Sequence, residues 1–83
     1  MMENNSVVSG EDVLFTRHAM RRMKWRRISK EHVQAALQQP DSIETTGFGR
    51  MNAYKIISGR LLKVTASHEG KVVTVITAIW KGE

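Results

Sequence analysis

The second half of the chain decides the fold, and from Asp41 to Trp80 it reads DSIETTGFGR MNAYKIISGR LLKVTASHEG KVVTVITAIW. Thr, Val and Ile are enriched there, and the pattern has the period of two that is typical of strands. Turn residues divide the stretch at Gly47-Phe48-Gly49, Ser58-Gly59 and Glu69-Gly70. We therefore predict four strands, near 42–47, 51–58, 60–68 and 72–80. Loops this short join antiparallel neighbours, because a parallel return needs a crossover of about a dozen residues or more.

The residues before Pro40 carry a helical pattern instead. Thr16 is a predicted N-cap for a helix from Arg17 to Lys24, and Ser29 is a second N-cap for a helix that ends near Gln38. The predicted buried stripes are Phe15, Ala19 and Met23 in the first helix, and Val33, Ala36 and Leu37 in the second. The sequence predicts an α+β fold in the order α-α-β-β-β-β, with the two helices packed on a four-stranded antiparallel sheet. This single domain spans residues 13–83, after a flexible tail over residues 1–12.

Length and composition exclude several classes of protein. A chain of 83 residues fits one domain, and without cysteine it has no disulfide, thiol nucleophile or cysteine-ligated metal. The three histidines, His18, His32 and His68, lie on three different predicted elements, so we predict no metal site and no cofactor. No apolar run reaches the roughly 18 residues of a membrane span, and the N-terminus has no signal-peptide pattern. We expect a cytoplasmic protein that does not contact a membrane.

Positive charge is concentrated in one short segment. The net charge is +5, yet residues 13–27 alone carry +6 and contain no acidic residue. The cations of this segment are Arg17, Arg21, Arg22, Lys24, Arg26 and Arg27. Such a block attracts a polyanion, most simply the phosphates of RNA or DNA. The alternative is a solvated helix face with no ligand.

Two-residue turns also predict which residues face each other across the sheet. They pair Ile57 with Arg60, Lys55 with Leu62, Ala53 with Val64, Leu62 with Thr77, and Val64 with Val75. The resulting core face contains Met51, Ala53, Ile57, Leu62, Val64, Ala66, Val73, Val75 and Ile79. Three polar residues, Lys55, Arg60 and Thr77, fall on the same face, either as a functional group or at a margin open to water. The opposite face carries Asn52, Tyr54, Lys63, Thr65 and Thr74, with Ile56, Leu61, Ile76 and Trp80.

These polar residues suit phosphodiester chemistry without a metal. RNA cleavage needs a proton-transfer group near the 2′-hydroxyl and cations around the phosphate. We predict His18 as the acid/base, Arg60 as a phosphate ligand and Thr77 as a hydrogen-bond donor, which makes these three the catalytic candidates. The predicted phosphate or nucleic-acid ligands are Arg17, Arg21, Arg22, Lys24, Lys55 and Lys63.

Several motifs carry a family resemblance over roughly residues 14 to 81. They are FTRHAMRRM from Phe15, the Ile28-Ser29 turn, GRLLKV from Gly59 and VITAIW from Val75. With these motifs the chain resembles a small bacterial and phage domain family of unknown function. That family is distantly similar to the RelE and BrnT toxins, within the barnase, EndoU and colicin group of metal-independent ribonucleases.

The resemblance implies a RelE/BrnT-like fold, RNA cleavage and a cognate antitoxin protein, with His18, Arg60 and Thr77 at the recurrent polar positions. The chain departs from the family pattern at two residues. Arg27 stands where glycine is typical, and Trp25 replaces a charged residue. Fold alone does not fix function.

Three functions follow as hypotheses. The first is a metal-independent ribonuclease of toxin–antitoxin type. The second is a non-catalytic module that binds nucleic acid or protein through the basic helix over residues 17–27. The third is an accessory protein whose exposed sheet edge pairs with a strand of a partner.

Overall fold

A computed structural model of the chain describes residues 13–82, in which two helices cover one face of a five-stranded sheet. The predicted tail over residues 1–12 lies outside the described residues. The elements are β1 (Val13–Phe15), α1 (Arg17–Arg26), α2 (Lys30–Gln38), β2 (Ser42–Gly47), β3 (Arg50–Ile57), β4 (Arg60–Glu69) and β5 (Val72–Lys81). The strand order across the sheet is β1-β5-β4-β3-β2. The predicted α+β class, the two helices and the four longer strands are confirmed.

The helices begin where the capping residues predict. The Thr16 hydroxyl accepts a hydrogen bond from the Ala19 amide at 3.0 Å. Ser29 and His32 form a reciprocal capping box, in which each side chain bonds the backbone amide of the other residue. Both contacts satisfy amides that have no partner within the helix.

The short strand β1 is a correction to the predicted all-antiparallel sheet. Val13–Phe15 pairs in parallel with Val73, Thr74 and Val75, so the sheet is mixed. Phe15 is therefore a strand residue packed against the core, and it is not the first member of a helical stripe. Three residues are too few to show alternation, and their partner lies about sixty positions along the chain, so local sequence carried no signal for this strand.

The register between β3 and β4 is confirmed, whereas the predicted register between β4 and β5 is wrong. Ile57 pairs with Arg60, as predicted. Glu69 pairs with Val72, so the turn consists of Gly70-Lys71 and not Glu69-Gly70. A bulge beside Thr65 and Ala66 then shifts the register once more.

The bulge changes which residues of β5 face the helices. Leu62 pairs with Trp80 and Val64 with Ala78, in place of the predicted Thr77 and Val75. Ala78 and Trp80 therefore belong to the core, whereas the predicted core residue Ile79 does not. The prediction that Trp80 lies on the opposite face is wrong for the same reason.

Packing of the two helices on this face makes the core. Its largest fully buried side chains are Leu37, Leu62, Val33, Val64, Val73 and Val75. Helix α1 packs on β5, and α2 packs on β3 and β4. Within residues 13–82, no helix covers the other face of the sheet, which we call the open face. Over the same residues, no helix is long and apolar enough to cross a membrane.

Candidate nucleic-acid interface

The outer side of α1 carries a dense set of cations. Ala19 and Met23 are the buried residues of this helix. We call its exposed Arg and Lys side chains the cationic face, which consists of Arg17, Arg21, Arg22 and Lys24. Within residues 13–82 none of them forms an ion pair with a carboxylate. Like charges four positions apart, such as Arg17 and Arg21, destabilise a helix by about 0.2–0.5 kcal/mol per pair.

A shallow hollow lies along this helix. It has a volume of about 450 Å³ and is lined by His18, Arg21, Arg22, Trp25 and Arg26. These positions recur at intervals of three and four residues, which places their side chains side by side on one stripe of the helix. Trp25 is 82% exposed. The hollow therefore combines positive charge with an aromatic surface.

Contacts at both ends of α1 fix its position on the sheet. At the start of the helix the Thr16 hydroxyl donates to the Val75 carbonyl at 3.4 Å. At the other end, Arg26 Nη1 donates to Thr77 Oγ1 at 3.3 Å and to the Ala78 carbonyl at 3.0 Å. Strand β1 ends opposite Val75, so β5 is an edge strand beyond that point, and Arg26 satisfies one of its carbonyls. Arg26 is thus a structural anchor.

The structure gathers four of the six predicted phosphate ligands on α1. Arg17, Arg21, Arg22 and Lys24 all lie there. The other two lie elsewhere. The Lys55 ammonium donates to the Gln39 carbonyl at 2.9 Å, where the negative end of the α2 dipole favours a cation. Lys63 pairs with Tyr54 and Ile79 on the open face.

Two of the three predicted catalytic residues, Arg60 and Thr77, are not brought together. His18 is in the first turn of α1, and Thr77 accepts a hydrogen bond from Arg26 at 3.3 Å. Arg60 lies over the Trp80 ring, 4.1 Å from the ring centre. Five positions of β4, about 16 Å, separate Arg60 from Thr65, the partner of Thr77. The predicted convergence of Arg60 and Thr77 is wrong because it depended on the register that the bulge changes, and the chemical roles of the three residues stay predictions.

A comparison with protein families matches residues 15–80 to the model described as "Domain of unknown function (DUF4258)". The chain belongs to the DUF4258 family. This confirms the expected membership in a small domain family of unknown function, and the description names no activity. No curated protein and no solved structure matches the chain. The likeness of the DUF4258 domain to RelE and BrnT toxins stays an expectation.

A second polar group of the DUF4258 domain lies on the open face. Glu44 Oε1 accepts hydrogen bonds from Asn52 Nδ2 at 3.0 Å and from the Tyr54 hydroxyl at 2.9 Å. The Thr65 hydroxyl donates to Asn52 Oδ1 at 2.7 Å. Asn52 is buried, and these bonds satisfy both ends of its amide. The group joins β2, β3 and β4, so its first effect is to hold the edge strand β2 on the sheet.

This hydrogen bonding changes the pKa of both acidic members. Hydrogen bonds from Asn52 and Tyr54, with a smaller contribution from the charges of Lys63 and Lys81, hold the pKa of Glu44 below its ordinary value of 4.5. The hydrogen bond to Glu44 raises the pKa of Tyr54 above 10.0. Tyr54 is therefore a donor and Glu44 an acceptor at neutral pH. Within residues 13–82, no three His, Asp or Glu side chains gather in a way that could hold a metal ion.

Sequence reasoning missed two features of the DUF4258 domain. Trp25 was noted as a departure from the family pattern and not as part of the interface, although its spacing from Arg21 and Arg22 places all three on one stripe. The pairing of Glu44 with Asn52 required the register of the β2–β3 hairpin. The alternation of β3 had already placed Asn52 and Tyr54 on the correct face.

Proposed function

We propose that this domain binds nucleic acid, with RNA as the expected ligand, through the cationic face of α1. The observation that carries the proposal is a helix with four exposed Arg and Lys residues and no neutralising carboxylate within residues 13–82. The cations lower the stability of the helix by mutual repulsion, and a polyanion offsets that cost by neutralising them. The separation of Arg60 from Thr77, about 16 Å along β4, favours binding over cleavage.

Salt dependence of binding provides the test. The affinity of the full chain for a labelled RNA is measured over a series of salt concentrations, and the slope of log K against log salt counts the phosphates contacted. Each contact on a single strand contributes about 0.7 to this slope, so replacing Arg21 and Arg22 by glutamine lowers it by about 1.4.

A matched control removes the same charge from another place. Arg50 and Lys71 are exposed at the β2–β3 and β4–β5 turns. Their double replacement by glutamine lowers the net charge equally, and it leaves the slope unchanged if α1 is the interface. Equal loss in both variants would show nonspecific attraction by net charge. RNA products on a denaturing gel in EDTA, lost on His18→Ala, would instead support the ribonuclease hypothesis.

A further inference from the structure

Trp25 is the most exposed large apolar side chain of α1. It is 82% exposed, whereas Trp80, the other tryptophan of the chain, is 9% exposed and belongs to the core. Burying an aromatic side chain is one of the largest favourable contributions available to a small domain. No core packing explains an indole at this position, between Lys24 and Arg26.

The indole lies between two hollows. The first is the hollow of about 450 Å³ along α1. The second has a volume of about 380 Å³ and is lined by Trp25, Arg26, Arg27, Ile79 and Trp80. Trp25 and Arg26 are common to both. An aromatic ring is therefore flanked by Arg21 and Arg22 on one side and by Arg27 on the other.

The backbone at Arg27 is an independent observation. Arg27 has φ 58° and ψ 44°, in the left-handed region that glycine adopts at the end of a helix. A residue with a Cβ costs about 1–2 kcal/mol in that conformation. The chain thus keeps a cation beside Trp25 where glycine would be less strained, and strain of this kind is concentrated at functional sites.

We propose that the ligand is single-stranded and that one of its bases stacks on the Trp25 indole, an inference that rests on the nucleic-acid binding proposed above. Arg21 and Arg22 then hold the backbone on one side of that base, and Arg27 holds it on the other. Stacking needs a free base face, which a duplex hides within its own stack. Every base has such a face, so this contact tolerates any sequence. The positive charge around the indole selects a polyanion over an uncharged apolar partner.

The test compares a single strand with a duplex on the full chain. The probes are a labelled RNA of about 12 nucleotides, within the roughly 4–16 nucleotides that single-strand modules cover, its duplex, and the DNA strand of the same sequence. Trp25→Ala is expected to weaken single-strand binding by about 5- to 150-fold, the range for loss of one stacked base. Duplex binding and the salt slope stay as in the wild type. Trp25→Phe restores most of the loss, because it returns an aromatic face.

Phe48 provides the matched control. It is fully exposed at the β2–β3 turn, away from α1. Phe48→Ala leaves the affinity for every probe unchanged. Equal RNA and DNA affinities support stacking and phosphate contacts as the source of binding, and a preference for RNA supports the same site with an added 2′-hydroxyl contact.

Two outcomes overturn the proposal in different ways. The stacking proposal is removed, and the cationic interface is left, if the wild type binds RNA and Trp25→Ala binds it equally well. The same conclusion follows if Trp25→Ala weakens the binding of single strand and duplex to the same extent. A wild-type protein that binds none of the probes removes both. Thermal unfolding of each variant confirms that the fold is intact, which exposure of Trp25 leads us to expect.

Discussion

Replacement of Arg27 by glycine should raise the stability of the domain and lower its affinity for nucleic acid. Arg27 ends α1 in the left-handed conformation, where its amide bonds the Lys24 carbonyl at 3.2 Å and the next amide, of Ile28, bonds the Met23 carbonyl at 2.9 Å. This is the Schellman arrangement, in which glycine is the preferred residue. Glycine keeps both hydrogen bonds and removes the Cβ strain.

The magnitude follows from two opposing contributions. Release of the left-handed strain is worth about 1–2 kcal/mol, and the larger backbone entropy of unfolded glycine takes back about 0.4–1 kcal/mol. The net gain in the free energy of unfolding is about 1 kcal/mol. For a domain of this size the corresponding rise in Tm is roughly 4–8 °C.

Arg27→Ala separates the backbone from the side chain. Alanine removes the same cation and keeps the strained conformation, so Arg27→Gly should have the higher Tm of the two by scanning calorimetry. Both variants should bind single-stranded RNA more weakly than the wild type, and to the same extent. A glycine variant no more stable than the alanine variant would refute the strain argument, and unchanged RNA affinity in both would remove Arg27 from the interface.

Three further predictions concern the fold. Because the pKa of Glu44 is lowered, the stability that its carboxylate contributes is complete above pH 4.5 and is lost as the pH falls through the lower pKa of the folded state. The Tm difference between wild type and Glu44→Gln should therefore shrink in acid. A Tm difference that stays constant with pH would contradict the hydrogen-bonded carboxylate. Trp80→Phe deletes the 2.9 Å hydrogen bond from Nε1 to the Arg26 carbonyl and should lower the free energy of unfolding by about 1–3 kcal/mol, measured by urea unfolding. An unchanged urea midpoint would show that water replaces the indole as the hydrogen-bond donor. Leu37→Ala leaves a cavity at a fully buried site of α2 and should lower the free energy of unfolding by about 2–5 kcal/mol in the same assay. A much smaller decrease would mean that neighbouring core residues fill the cavity.

Sequence alone could predict the parts of this fold that depend on near neighbours. The Ser58-Gly59 turn is one example, because its two residues have φ values of 53° and 81°, as a two-residue hairpin of type I′ requires. Once the turn is fixed, alternation assigns every residue of β3 to the correct face. The caps at Thr16 and Ser29 are equally local.

Strand β5 shows where this reasoning fails. Its sequence VVTVITAIW is apolar at nearly every position, so alternation does not say which parity faces the helices. The bulge opposite Thr65 and Ala66 changes that parity midway, from Val73 and Val75 to Ala78 and Trp80. No local residue pattern signals the change, and the predicted position of Thr77 relative to Arg60 depended on it. The cations of α1 were predictable because they follow one another along a single helix.

The same bulge explains why α1 can serve as a rigid platform. It turns Trp80 toward the helices, and Trp80 then binds the Arg26 carbonyl while Arg26 itself reaches Thr77 and Ala78. With Thr16 bonded to Val75 at the other end, the helix is fixed to β5 at both termini. A flexible basic arm would lose conformational entropy when it binds a ligand, and this loss would weaken binding. A helix held at both ends loses that entropy when the domain folds, before any ligand binds. The spacing of the cations along α1 is therefore set before a ligand arrives, so substitutions that loosen either end of the helix should weaken binding even though they remove no charge.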